Sequence, residues 1–363
     1  MMGILNNIRN IMNDIIENSY CIGQLYGEMK KIKDPRRQKL ISSVRLGDEQ
    51  KRQIDTLFKD NYGKSIRDDW HRLYQSFTGQ FDACYFPEYL FSSKLEPKMN
   101  APAYRYVLDD KLLLPLFCVG LSNVRTPHSF FTVSESLCFD NDKKIINFKN
   151  LAYKNWGGKS LIIKPVQNTN SGVGVLKLHS FENIRKILTQ DKKQTYIIQE
   201  CVLQNEQLSK LYPNAVNTFR VITYLWNGKV YHTPLTLRIG QGGSYLDNAH
   251  AGGMFIGVSD EGGLESIAFT EFGNKFEEHP DTHVKFSGYK IEFVPQIIEV
   301  AKKMHLNAPQ LGIISWDMTV DKDGMIVLIE ANTRGQSIWF PQMANGKGAF
   351  GENTAEILRY ISH

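Results

Sequence analysis

The chain has 363 residues, 42% of them hydrophobic and 22% charged, and a formal net charge of +5; that length predicts two domains, or one with an extension, and the mild charge suits an anionic ligand such as a nucleotide without requiring nucleic acid. Five cysteines, odd in number and without a CxxC pair, argue against a disulfide scaffold and a structural zinc site. No run approaches the ~20 apolar residues of a membrane span, and Asn6, Asn7, Arg9 and Asn10 interrupt any leader, so the expected compartment is the cytoplasm.

Residues 1 to about 60 read as helical. Ile4, Leu5, Ile8, Ile11, Met12, Ile15 and Ile16 form one apolar stripe, and the opposite face carries Arg9, Asp14 and Glu17. That face is not basic, so packing on the chain's own core or on a partner is favoured over a membrane surface. The basic cluster Lys30, Lys31, Lys33, Arg36, Arg37 and Lys39, broken by Asp34-Pro35, reads as a solvated loop in preference to a contact with an acidic polymer or lipid head groups. Residues 68–102 are rich in aromatics, among them Trp70, Tyr74, Phe77, Tyr85, Phe86 and Phe91. They suit the core of a small domain better than a wall for an acceptor. Pro87, Pro97 and Pro102 suggest a linker near residues 97–104.

From Tyr106 the texture turns to strands and turns. A short helix is expected over Lys111–Leu121 and strands over Thr126–Val133, Leu161–Pro165, Val175–Leu178 and Thr195–Val202, with a helix over Phe181–Thr189. Lys164 ends one strand ahead of the Gly-containing loop Asn168–Gly174. Ser171, Gly172 and Gly174 there would let backbone N–H groups approach phosphate, with Lys164 beside them as a point charge. Neither a Walker A loop nor a Rossmann fingerprint is present, because a strand follows the loop. The strand ending at Gln199-Glu200 reads either as a buried strand that surfaces or as a hinge whose backbone meets an adenine edge. Phe219–Trp226 and Lys229–Leu237 flank Asn227-Gly228, a strong hairpin signal. Arg220 on one strand and Arg238 after the other would converge on a polyanion. Asn248 and His250 lie in a turn-rich segment that follows, and a helix is expected over Phe293–Met304.

The most informative stretch is Gly312–Arg334, a hairpin around the turn Asp321-Lys322-Asp323-Gly324. With Val320 opposite Met325, Asp317 falls opposite Leu328 and Glu330 opposite Ser315. Strand alternation then puts Asp317, Glu330 and Asn332 on one face, a hard-oxygen set suited to Mg²⁺. The competing reading is an ordinary exposed polar face. Arg334 exits beside it. The nine histidines contain no HExxH pair and read as core or surface residues.

The order of these parts resembles the ATP-grasp superfamily. YFPEYLF near residue 86, IIQECVLQNEQLSKLYPNAVNTFRVIT and IEANTRGQS look like its branch found beside sugar-transfer genes in bacterial surface-polysaccharide clusters. The resemblance implies an α+β, ATP-grasp fold, with two subdomains gripping ATP between antiparallel sheets. The boundaries would be a helical N-terminal region over 1–104, an N-terminal subdomain over 105–203 and a C-terminal subdomain over 204–363. It implies ATP contacts from Lys111, Lys164, Ser171, Gly172, Gly174, Gln199, Glu200 and Val202. Glu206 is one of several candidates near the ribose. One or two Mg²⁺ ions would bind Asp317, Glu330 and Asn332. Arg220, Arg238 and Arg334 would neutralise the γ-phosphate and the acyl intermediate, and Asn248, His250 and Arg334 would meet the substrate. The implied activity is carboxylate–amine ligation through an acyl phosphate, with release of ADP and phosphate. Its partners would be a small or glycan-linked carboxylate, an amine and polysaccharide-assembly proteins, with no nucleic acid and no membrane span. A kinase acting on a sugar or small alcohol, and a non-catalytic nucleotide-binding partner of a glycosyltransferase, are the alternatives.

Overall fold

Alternation decides how the central strands bury themselves. The computed structural model describes residues 2–134, 137–146, 160–167, 174–178 and 194–362. Its larger sheet comprises β1 (Val124–Arg125), β8 (Thr218–Trp226), β9 (Lys229–His232), β10 (Leu235–Ile239), β11 (Met254–Val258), β12 (Ala268–Phe269), β13 (Lys275–Phe276), β14 (Ile313–Val320) and β15 (Ile326–Asn332). They run in the order β1-β15-β14-β8-β10-β11-β12-β13, with β9 on β8. All pairs are antiparallel except β1 with β15. On β14, Ile314, Trp316, Met318 and Val320 enter the main core with Phe117 and the helix Val294–Leu306. The opposite face carries Ser315, Asp317 and Thr319, and all three are at most 2% exposed. The polar face is therefore covered rather than solvated.

The smaller sheet comprises β2 (Ser129–Ser134), β3 (Leu137–Asp140), β4 (Ile145–Ile146), β5 (Leu161–Pro165), β6 (Leu176–Leu178) and β7 (Tyr196–Glu200). Its order is β4-β3-β2-β7-β5-β6, and it has its own core of Val133, Leu161, Ile163 and Ile198. The expected helix over Phe181–Thr189, and Ser171 and Gly172, lie outside the described residues.

The N-terminal helices α1 (Met2–Ile32), α2 (Pro35–Ser42), α3 (Asp48–Tyr62) and α4 (Asp69–Thr78) share their cores with the C-terminal half. Phe58, Phe86 and Phe91 pack with Tyr224, Ile313 and Ile357, and Trp70, Tyr74 and Phe77 pack with Phe255, Trp339 and Met343. The aromatic segment is thus core, but not of a small separate unit. No linker interrupts it near 97–104. Pro102 opens the helix Pro102–Val107, where a missing N–H costs nothing, and Pro97 lies in a helical run over 88–99, just after its π turn Phe91–Leu95. Asn100 between them is fully buried. Its Nδ2 donates to Ile313 O (2.7 Å) and Thr333 O (2.8 Å), and its Oδ1 accepts from Ile313 N (3.0 Å), which ties both strands of the β14–β15 hairpin at its open end.

Other expectations shift for local reasons. Lys111–Leu121 is a 3₁₀ turn over Lys111–Leu113, capped by Asp110, and one α-turn over Leu114–Phe117. The expected strand Thr126–Val133 begins only at Ser129, as β2, because Pro127 separates it from β1, and Pro234 divides Lys229–Leu237 into β9 and β10, which places Arg238 inside a strand. Asn227 and Gly228 both take positive φ, 46° and 74°, as a tight hairpin turn requires. On α1, Ile11, Met12, Ile15 and Ile16 are each more than half exposed, so this part of the stripe does not pack on the chain's own core.

Candidate active site

The register of β14 on β15 differs from the expected one in two places. Val320 pairs with Ile326 rather than Met325, because five residues, Asp321–Met325, fill the turn. Asp321 organises that turn by accepting N–H bonds from Asp323 (3.0 Å) and Met325 (2.9 Å). Ile329 then bulges out, so Asp317 lies opposite Glu330 and Ser315 opposite Asn332. Each change slips the register by one residue, and a one-residue slip inverts a strand's faces. Two slips restore them, so Asp317, Glu330 and Asn332 share a face.

On the other side of β14, Asp317 lies opposite Arg220 of β8. Arg220, Asp317 and Glu330 thus form a lateral row across three strands. Arg220 donates to both oxygens of Asp317 (2.6 and 3.0 Å), and Arg238 from β10 reaches Oδ2 at 3.0 Å. Burial pushes the Asp317 carboxyl up, but the two guanidinium groups outweigh it and hold it below the usual carboxylate range. Arg238 also donates to Thr218 Oγ1 (3.0 and 2.7 Å) and stands 3.5 Å from Asp247.

The smaller sheet brings the lysines. Lys111 N donates to Val166 O (3.0 Å), which fixes its 3₁₀ turn beside the end of β5, and its Nζ pairs with Glu330 at 2.7 Å. Lys164, on the face of β5 opposite that sheet's core, donates to Ile329 O at 3.3 Å, the carbonyl of the bulged residue. Burial and then the charge of Lys111 pull the Lys164 ammonium down to about 8. Gly174 holds φ +78°, with space above it limited by Pro165.

These residues line a cavity of about 560 Å³ between the two sheets. Lys111, Lys164, Gln199, Glu200, Val202, Arg220, Arg238, Asn248, His250, Asp317, Glu330 and Asn332 all border it. Gln199 donates to Ser129 Oγ (3.1 Å), and Glu200 accepts from His128 N (2.9 Å) and pairs with Arg125. Arg125 also holds Asp321 (2.9 Å), so one guanidinium links the end of the smaller sheet to the turn of the β14–β15 hairpin.

Three of the expected residues among those described do not border the cavity: Gly174, whose neighbour Val175 does, and two others. Glu206 opens the helix Glu206–Leu211, and its exposed carboxylate pairs with Lys210 (2.9 Å). Arg334 turns to Asp109 (3.0 Å), over the Tyr106 ring. Sequence reading missed others that do. Gln24, Glu28 and Lys31 come from α1 and Arg37 from α2. Arg37 is 8% exposed, paired with Glu271 and 4.8 Å from the Trp339 ring, so the basic cluster is not simply a solvated loop. The spacing of Gln24, Glu28 and Lys31, four and three apart, places them on one helix face and was a usable signal.

The donor set fits a divalent cation that prefers oxygen. Glu330 and Asn332 are neighbours on one face; Asn332 Nδ2, buried with no partner among the described residues, is a donor that suits a phosphate oxygen. No group of three or more His, Cys, Asp or Glu side chains positioned for a metal occurs among the described residues. Asp317 is already engaged by the arginines.

The sugar-transfer associated ATP-grasp family matches residues 90–357, and the chain belongs to that family and has its ATP-grasp fold. A search of curated proteins finds no match. Among solved structures, similarity is found to D-alanyl-alanine synthetase A from Vibrio cholerae (14% identity, TM-score 0.41, covering 70% of this chain and 65% of that one). N5-carboxyaminoimidazole synthase from Aspergillus clavatus, in complex with ADP and its ribonucleotide, is also similar (12%, 0.37, 63% and 45%). So is an L-amino acid ligase from Bacillus licheniformis (14%, 0.38, 65% and 46%). The chain spans less than two thirds of each of these relatives. At such scores the likeness carries no argument about activity. No helix among the described residues is long and apolar enough to cross a membrane.

Proposed function

We propose that the chain is an ATP- and Mg²⁺-dependent carboxylate–amine ligase of bacterial surface-polysaccharide or related biosynthesis. The observation that supports this reading is the row Arg220–Asp317–Glu330, faced by Arg238, Lys111 and Lys164 inside one cavity. Four cations around Asp317, Glu330 and Asp247 suit polyphosphate and a transferring phosphoryl group.

In this reading Lys111 and Lys164 neutralise the phosphates of ATP, whose base lies toward Gln199 and Val202. A substrate carboxylate oxygen attacks the γ-phosphorus, the bond from that phosphorus to the bridging oxygen breaks, and ADP leaves. Arg220 and Arg238, oriented by Asp317, stabilise the charge on the phosphoryl group and then on the tetrahedral adduct. The amine nitrogen adds to the acyl carbon and loses a proton, and phosphate departs. Mg²⁺, held by Glu330 and Asn332 beside Asp317, would supply Lewis-acid stabilisation of the phosphate oxygens. Asn248 and His250 border the acceptor's side, and Arg334 has no part in the site.

The test is an ADP-release screen of amino acids crossed with uronic acids and nucleotide sugars, with product mass determined. ADP, phosphate and an amide support the ligase, and Glu330→Ala abolishes them. AMP and pyrophosphate would sink it. ATP turnover without amine, leaving a stable phosphorylated product, would establish the kinase instead.

A further inference from the structure

Part of the cavity lining comes from α1 and from the segment that follows β15. Glu28 borders it and is 4% exposed. Its Oε1 accepts from Lys31 Nζ at 2.6 Å, while its Oε2 is buried with no partner among the described residues. Gln336, also 4% exposed and bordering the cavity, is held by its main-chain N–H to Glu96 (2.9 Å) and by Nε2 to Ile313 O (3.3 Å). Its Oε1 is likewise buried and unpartnered. Glu88 accepts Ile338 N–H (3.1 Å), which ties the segment carrying Trp339 and Phe340 into this lining. The nearby cations do not serve these oxygens: Lys31 is on the other oxygen of Glu28, and Arg37 is paired with Glu271.

A buried acceptor without a donor costs about 1–3 kcal/mol, and more when charged. Two such acceptors on a cavity also lined by Trp339 and Phe340 suit a ligand rich in N–H. A phosphate or carboxylate would meet the Glu28 carboxylate head-on. An ammonium donates to carboxylate and amide oxygens alike and gains from an aromatic neighbour.

We propose that this part of the cavity binds the primary ammonium group of an amine-bearing acceptor, with Glu28 Oε2 as its counter-ion and Gln336 Oε1 as a second acceptor. The part the amine plays afterwards rests on the ligase reading, but its binding does not. Glu28 lies outside residues 90–357 matched by the family. The N-terminal helix thereby becomes a specificity element added to a shared nucleotide site.

Binding is measured on the full chain without nucleotide, by saturation-transfer NMR and calorimetry. The probes are L- and D-amino acids and hexosamines, each beside its N-acetyl counterpart. At least one amine binds, and its N-acetyl form binds at least about tenfold more weakly, equivalent to about 1.4 kcal/mol. Glu28→Gln loses about tenfold in amine affinity while the thermal shift produced by ADP and Mg²⁺ is unchanged. Gln336→Leu, which leaves the ion pair of Glu28 intact, weakens amine binding severalfold. The proposal is overturned if no amine binds, if the acetylated probes bind equally, or if both variants bind like the wild type. Amine binding without ATP turnover would refute the ligase and leave this subsite standing. Turnover indifferent to Glu28 would do the reverse.

Discussion

Lys164 offers a sharp test of the nucleotide site. The residue is 5% exposed, and burial followed by the charge of Lys111 brings its ammonium from 10.5 to about 8. Phosphate bound alongside would offset both causes. Full return to the ordinary value corresponds to roughly 3 kcal/mol favouring the charged form in the complex. The sign follows from proton counting. Below about 8 the free protein already carries the proton, so phosphate binds at full strength. Above it, binding must take up a proton, and affinity for a non-hydrolysable ATP analogue at pH 9 is about tenfold weaker than at pH 7. Folding stability without ligand runs the other way. The depressed value penalises the folded state fully below about 8, and the penalty is relieved as pH rises from there toward 10.5. Calorimetry in buffers of different ionisation enthalpy reads the proton uptake directly. Lys164→Met flattens the affinity profile. A flat wild-type profile, or the same slope in Lys164→Met, would refute the reasoning.

Asp317→Asn leaves Arg220 and Arg238 facing a neutral amide in a covered site, and urea unfolding is expected to show a loss of about 3–5 kcal/mol; a loss under about 1 kcal/mol would contradict the pairing. Asn100→Ala removes three buried hydrogen bonds at the open end of the hairpin, so a destabilisation of roughly 2–4 kcal/mol is expected, read by the same unfolding curves. Glu206→Ala and Arg334→Met leave affinity for the ATP analogue within about twofold, since neither side chain borders the cavity; a larger change in titration would restore them to the site.

The parts that sequence made legible were those with a local physical signature. Asn227-Gly228 fixed a turn because both residues must take positive φ. The alternation of Ile314, Trp316, Met318 and Val320 against Ser315, Asp317 and Thr319 marked two faces of one strand. What stayed hidden depends on distant partners. Nothing near Arg334 in the chain announces Asp109 and Tyr106, which draw it away. Nothing near Arg37 announces Glu271 and Trp339, which bury it. Pro102 misled because proline punctuates a linker and starts a helix equally well, and Pro97 because it follows a π turn inside a helical run. The buried polar face of β14 is visible only once the lysines of the smaller sheet and the N-terminal helices stand over it.

The bulge at Ile329 is a spare residue in the ladder. Deleting it would set Glu330 directly after Leu328 and opposite Asp317 in unbroken register, so Glu330 and Asn332 would keep their face. What would go is the carbonyl that takes the Lys164 ammonium. The deletion therefore spares the polar row and removes one tie between the hairpin and the smaller sheet.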